Sequence, residues 1–148
     1  RKNKGRRIGD YVMKKVDTKT KIKRLKKQCD ELWSKCVRLR DGQCALCGKT
    51  ENLNAHHWVH SKAQGNFHRW DVRNGLALCY TCHIYKVHTY ASADITERLK
   101  TFAFDTGIIT PEDYEFLAND HKIMKDSIEQ MESVKTYLTT YLEQLERR

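Results

Sequence analysis

The chain has 148 residues, a formal net charge of +9 and 39% hydrophobic residues, enough for one domain core with extensions and too little for two full domains. No apolar run approaches the ~20 residues of a membrane span, and the basic N-terminus lacks the apolar stretch of a secretory signal. The expectation is therefore a cytosolic protein with reduced thiols and no membrane partner.

Charge is uneven: residues 1–40 carry sixteen Lys or Arg against four acids, a net of +12, whereas residues 41–90 come to +2 and residues 91–148 to −5. Residues 1–18, with Gly5, Gly9 and the basic run from Arg1 to Arg7, read as a flexible arm. From about Lys19 to Arg40, the residues Ile22, Leu25, Cys29, Leu32, Trp33, Cys36, Val37 and Leu39 recur at three and four, which predicts an amphipathic helix. Asp41-Gly42 stops it, giving a basic helical segment over 19–42. Lys23, Arg24 and Lys27 on its polar side are candidate nucleic-acid contacts, since clustered bases suit phosphate and counterion release. A solvated helix face is the competing explanation.

Four of the six cysteines form two pairs, Cys44-Ala-Leu-Cys47 and Cys79-Tyr-Thr-Cys82. Two C-x-x-C knuckles suit a tetrahedral zinc, because each short loop presents two thiolates. A four-thiolate site has no open position, so that zinc is structural. Cys29 and Cys36 fall outside the pattern and read as small core residues. Between the knuckles, Leu53, Ala55 and His57 alternate with Asn54, His56 and Trp58, so a short strand would point adjacent histidines to opposite sides. Ser61 to Asn74 is a polar loop marked by Gly65 and Asn66, and a helix is expected to begin near Cys79 to His83. A small ββ-zinc-α unit over 43–90 results, within a mainly helical α+β fold.

The rest, 91–148, is a helical extension. Asp94-Ile95-Thr96-Glu97 resembles a capping box opening a helix to about Phe104, and Thr110-Pro111-Glu112-Asp113 supplies an N-cap, a first-turn proline and early acids. From about Asp120 onward, Met124, Met131, Leu138 and Leu145 recur every seven, joined by Ile128, Val134, Tyr141 and Leu142. That stripe predicts packing against the N-terminal helix, with a homodimer zipper as the second reading.

The segments Asn54-Ala55-His56-His57-Trp58 and Asn74-Gly75-Leu76-Ala77-Leu78-Cys79-Tyr80-Thr81-Cys82-His83, preceded by the Cys44 and Cys47 knuckle, resemble the HNH endonucleases with the ββα-metal fold. The resemblance covers about residues 43–88. It implies that His56, where the family often has Asp, and His83 hold a catalytic divalent metal, that His57 is the general base, and that Asn74 braces the histidine loop. The four-cysteine zinc with helical flanks is similar to phage recombination endonucleases of the NinG/Rap sort and more distantly to endonuclease VII-type junction resolvases. DNA is then the expected partner, inside a bacterial or phage-infected cell; a branched substrate such as a Holliday junction or D-loop is one reading, and a nicking, restriction or homing role shares the same core signature.

Chemistry supports those roles. A neutral imidazole, with a pKa near ~6.5, can take the proton of a water attacking phosphorus, and a divalent ion stabilises the charge that builds on the phosphate and leaving oxygens. Two imidazole ligands favour Mn²⁺, Ni²⁺, Co²⁺ or Zn²⁺ over Mg²⁺. His88, five residues after His83, is out of step with an α-helical face and is left outside the ligand set. His60 and His68 read as loop histidines behind the site or facing solvent, and Trp58 and Trp70 as core cover. Arg69 and Arg73 are candidate phosphate contacts, with pairing to Asp71 or simple exposure as the alternative. The expected function is a metal-dependent DNA endonuclease; the rival is a noncatalytic zinc-knuckle module that binds nucleic acid.

Overall fold

The computed structural model describes residues 16–65, 67–89 and 92–148. Most of the basic arm, including Arg1 to Arg7, lies outside the described residues, as does Asn66 of the predicted loop. The fold is mainly helical with one small antiparallel sheet, and among the described residues no helix is long and apolar enough to cross a membrane.

Helix α1 spans Thr18–Asp41. The Asp17 carboxylate accepts from the Thr20 backbone N–H at 2.9 Å, and Gly42, at φ 62, returns its N–H to Arg38 at 3.0 Å, so both ends carry capping groups. Leu25, Cys29, Trp33, Cys36 and Val37 form its buried stripe. That stripe packs against Met131, Leu138 and Leu142 of α4, Ile128–Glu146. The Cys29 and Cys36 thiols donate to the Met131 and Leu138 carbonyls at 3.6 and 3.5 Å. These two cysteines are small residues that admit a neighbouring backbone.

α4 starts later than the seven-residue stripe suggests. Ser127 caps it through the Gln130 N–H at 3.1 Å, and residues 120–127 are non-helical. Met124 belongs to the stripe yet packs on the core from that extended segment, where Asp126 pairs with Lys26.

Strand β1, Leu53–His57, runs antiparallel to β2, Gly75–Cys79, with Leu53 opposite Cys79 and His57 opposite Gly75. β2 is buried throughout and serves two cores by alternation. Ala77 faces the α1/α4 cluster, while Leu76 and Leu78 face a second cluster with Leu99 and Ala103 of α2, Ala93–Asp105, and Leu117 of α3, Pro111–Asn119. The outer edge of β2 is closed because the Ala77 N–H donates to Asp41 at 2.7 Å and the Ala77 carbonyl accepts from Ala45 at 2.9 Å. Thr110 and Pro111 open α3 as expected. α2 is instead capped by Ser92, which accepts from the Ile95 N–H at 3.3 Å, and Asp94 sits in its first turn.

At Gly75 the side chains of α1 pack directly on the sheet. A Cβ there would meet Val37 Cγ2 at 2.5 Å and Trp33 Cζ2 at 2.6 Å. Gly75→Ala is expected to cost about 1–3 kcal/mol by overpacking and to push the Trp33 ring outward. Denaturant unfolding of the variant beside wild type measures the cost; an unchanged midpoint would show that the Trp33 side gives way freely.

Candidate metal centres and histidine pocket

Cys44, Cys47, Cys79 and Cys82 converge, with all four sulfurs within 4.8 Å of one another. The first pair sits in a turn held by the Cys44 N–H donating to Lys49 at 2.7 Å and the Gly48 N–H donating to Cys44 at 2.9 Å. Gly48 has φ 75, a value that favours glycine. The second pair joins the end of β2 to the next helix, and the Cys82 N–H points to Cys79 Sγ at 3.5 Å. A tetrahedral ion with Zn–S near ~2.3 Å sets sulfurs about 3.8 Å apart, and Cys47 Sγ lies 3.7 Å from Cys79 Sγ.

The four thiols cannot all ionise unaided. Burial, and then the neighbouring thiols, push the Cys82 pKa up. Burial also opposes ionisation of Cys79, but hydrogen bonds from the Cys82 N–H and the surrounding thiols outweigh it and bring its pKa to about 7. The cluster fits a metal ion that would balance the thiolate charge.

Beyond Cys82 the chain forms a π-helix over Cys82–Thr89. Its i→i+5 hydrogen bonding enlarges the turn, so residues five apart share a face. His83 and His88 therefore point together, with Nε2 atoms 3.0 Å apart. His56 of β1 meets them edge-on, with ring centroids at 5.2 Å from His83 and 5.3 Å from His88. The three imidazoles each offer a nitrogen within 4.8 Å of the others. Thus His56 and His83 come together as expected, and His88 joins them. The H-x₄-H spacing carried the signal: it is wrong for an α-helical face and right for a π turn.

Burial, and then the neighbouring His83, His88 and His57, push the His56 pKa down to about 3. Burial, followed by His88, lowers that of His83. Both shifts favour the neutral imidazole, the form that can bind a metal.

His57 points to the opposite face of β1. Its ring stacks on Trp33, with centroids 3.9 Å apart and planes 11° apart. Its Nε2 lies 2.8 Å from the Arg69 carbonyl oxygen. A carbonyl only accepts, so Nε2 carries the proton and Nδ1 keeps a lone pair. Burial lowers the His57 pKa despite the carbonyl and Asp30, which raise it. His57 lines one cavity of about 410 Å³ with His56, His83, His88 and Lys62. No protein-family model, no curated protein and no solved structure matches the chain.

Asn74 is fully buried and uses its whole amide. Oδ1 accepts from the Val59 and His60 N–H groups at 3.1 and 2.8 Å, and Nδ2 donates to the His60 and His68 carbonyls at 2.9 and 3.0 Å. It pins both ends of the loop leaving the histidine doublet, and its side-chain hydrogen bonds go to backbone groups rather than to either imidazole of that doublet.

His60 and His68 are buried rather than solvent-facing. Their rings stack at 4.7 Å, His60 Nε2 donates to the Leu117 carbonyl, and His68 Nε2 lies 3.2 Å from Asp120. They fasten the loop to the end of α3. Trp58 and Trp70 donate their indole N–H to the Arg73 carbonyl and to Asp30, at 2.8 and 2.9 Å.

The arginines of this loop are occupied. Arg69 forks onto Asp30 with its side chain 13% exposed, and Arg73 pairs with Asp71 at 2.8 Å. Neither presents a free guanidinium to a phosphate. Lys23, Arg24 and Lys27 are exposed on α1 and form no ion pair among the described residues.

Proposed function

We propose that this chain is a metal-dependent HNH endonuclease, with a ββα-metal core and a structural zinc, that hydrolyses phosphodiester bonds of DNA. The observation that carries the reading is the place of His57: its Nε2 is tied to the Arg69 carbonyl, which leaves Nδ1 with a lone pair, and the residue lines the same cavity as the three other imidazoles that converge. A noncatalytic zinc-knuckle module needs the four cysteines and has no use for this arrangement.

The donor set of His56, His83 and His88 fits a borderline transition metal such as Mn²⁺, Ni²⁺, Co²⁺ or Zn²⁺, with Mg²⁺ a poorer match. A divalent ion held there supplies Lewis-acid stabilisation of the charge that grows on the phosphate and leaving oxygens. His57 Nδ1 takes the proton of the attacking water, and the Trp33 face keeps that imidazole from turning away. Lys62, which also lines this cavity, is paired with Asp30 at 3.0 Å. The finer assignment, to branched recombination intermediates, rests on the family resemblance.

The test is cleavage of supercoiled plasmid, linear duplex and four-way junction by the full chain across Mg²⁺, Mn²⁺, Co²⁺, Ni²⁺ and Zn²⁺. Metal-dependent nicking is the expected result. Binding without cutting under every metal would overturn the reading and favour the zinc-knuckle module.

Phosphate binding by α1 has its own signature. Removing one cation that neutralises a phosphate should flatten the slope of log K against log salt by about 0.9, so Lys23→Ala/Lys27→Ala is expected to lower it by about 2 while cutting at saturating DNA persists. An unchanged slope would remove these two lysines from the DNA surface.

A further inference from the structure

We propose that Asp30, on α1 and outside the strand-strand-helix core, is a positioning residue that sets the orientation of His57 through the backbone of Arg69; the inference deepens the nuclease reading and rests on it for its catalytic meaning. His57 has two supports. One is the ring of Trp33, three residues beyond Asp30 on the same helix face. The other is the Arg69 carbonyl. That carbonyl belongs to a loop with no partner strand, so its position depends on what anchors the loop.

Asn74 holds the loop at the His68 carbonyl and Trp33 Nε1 holds it at the Asp71 carbonyl, and between these points the side chains of Arg69 and Trp70 converge on one carboxylate. Asp30 Oδ1 accepts from Arg69 Nε at 3.0 Å and from Trp70 Nε1 at 2.9 Å. Asp30 Oδ2 accepts from Arg69 Nη2 at 2.6 Å and from Lys62 Nζ at 3.0 Å. These bonds occupy the roughly four lone-pair directions of an ionised carboxylate. They fix both the residue whose carbonyl holds His57 and the next one along the chain. Because Asp30 and Trp33 share one rigid helix, both supports of the imidazole move as a unit.

Charge requires this pairing as well. The Arg69 guanidinium is largely removed from water and needs a counter-charge where it sits. Asp30 is that counter-charge. An asparagine keeps the shape but has one acceptor oxygen, and its amide N–H groups would face the donors of Arg69 or Lys62. The isostere therefore loosens the loop without opening a hole.

Asp30→Asn in the full, zinc-loaded chain tests the idea. The expected result is a fall in kcat of about 10- to 100-fold, the scale of a small misplacement of a reacting group, with KM and the affinity of the histidine cluster for Co²⁺ unchanged. Combined with His57→Ala it should slow cutting no further, because a residue acting only through His57 has nothing left to act on. A brace serving the fold at large would slow both backgrounds by the same factor.

Imidazole ¹⁵N spectra give a readout that does not depend on cutting. Wild type should show His57 as the pure Nε2–H tautomer, and Asp30→Asn a mixture. Arg69→Lys, which keeps the charge and loses the fork, should fall between them and serves if Asp30→Asn does not fold. Wild-type kcat and a wild-type tautomer in these variants would overturn the proposal, as would an equal slowing of the His57→Ala background. If wild type cuts nothing, the nuclease reading falls and the tautomer alone decides whether Asp30 orients His57.

Discussion

Replacing Cys79 by serine is expected to release metal and unfold the centre of the chain, at a cost of about 10 kcal/mol or more if the four-thiolate site holds zinc as proposed. Cys79 ends β2, and Cys82 starts the π-helix three residues later. The Cys44 to Cys47 turn belongs to the same apolar cluster as Leu76, Leu78, Leu99, Ala103 and Leu117. Losing the metal would free that turn, leave buried sulfurs without partners, and detach α2 and α3 from the sheet. The α1/α4 pair, packed through Cys29, Trp33, Met131 and Leu138, should keep part of the helical signal. Near-UV circular dichroism should therefore collapse further than far-UV. A variant that retains its thermal midpoint and near-UV spectrum would show that the thiolate site is not structural.

Replacing His57 by alanine should leave DNA and metal binding close to wild type and reduce cutting by ~10² to 10⁴, the usual contribution of a general base. His83→Ala should lose metal affinity as well as activity, and so should His88→Ala. The distinction follows from the two faces of β1: His57 stacks on Trp33, while His56 faces the π-helix. Calorimetric titration with Mn²⁺ or Co²⁺ beside a plasmid-nicking assay separates the roles. If His57→Ala cuts at the wild-type rate, the imidazole is not the base and the HNH mechanism does not describe this chain.

Much of the frame could be read from residue spacing. Three- and four-residue recurrence located α1, Thr110-Pro111 located the start of α3, and strand alternation assigned adjacent histidines to opposite sides of β1. These are local signals, set by backbone geometry within a few residues. What escaped depends on partners distant in sequence. Arg69 looks free until Asp30 is seen 39 residues away, and Trp33 reads as packing until β1 brings His57 against it. His60 and His68 look like loop residues until α3 covers them. The heptad stripe ran through Met124 because a side chain on an extended segment can fill the same core as one on a helix.

The π-helix has a consequence for how such a site is recognised across sequences. An α-helix bringing two imidazoles to the same points needs one residue fewer between them, so a relative with that geometry would be written H-x₃-H where this chain has H-x₄-H. A pattern fixed at the shorter interval slides past His88, and an alignment forced through it must place a one-residue gap inside a helix, where gaps are ordinarily penalised. Three-dimensional equivalence here is thus out of frame with linear equivalence. Comparison of the two spacings is better made on the positions of the ring nitrogens than on residue count.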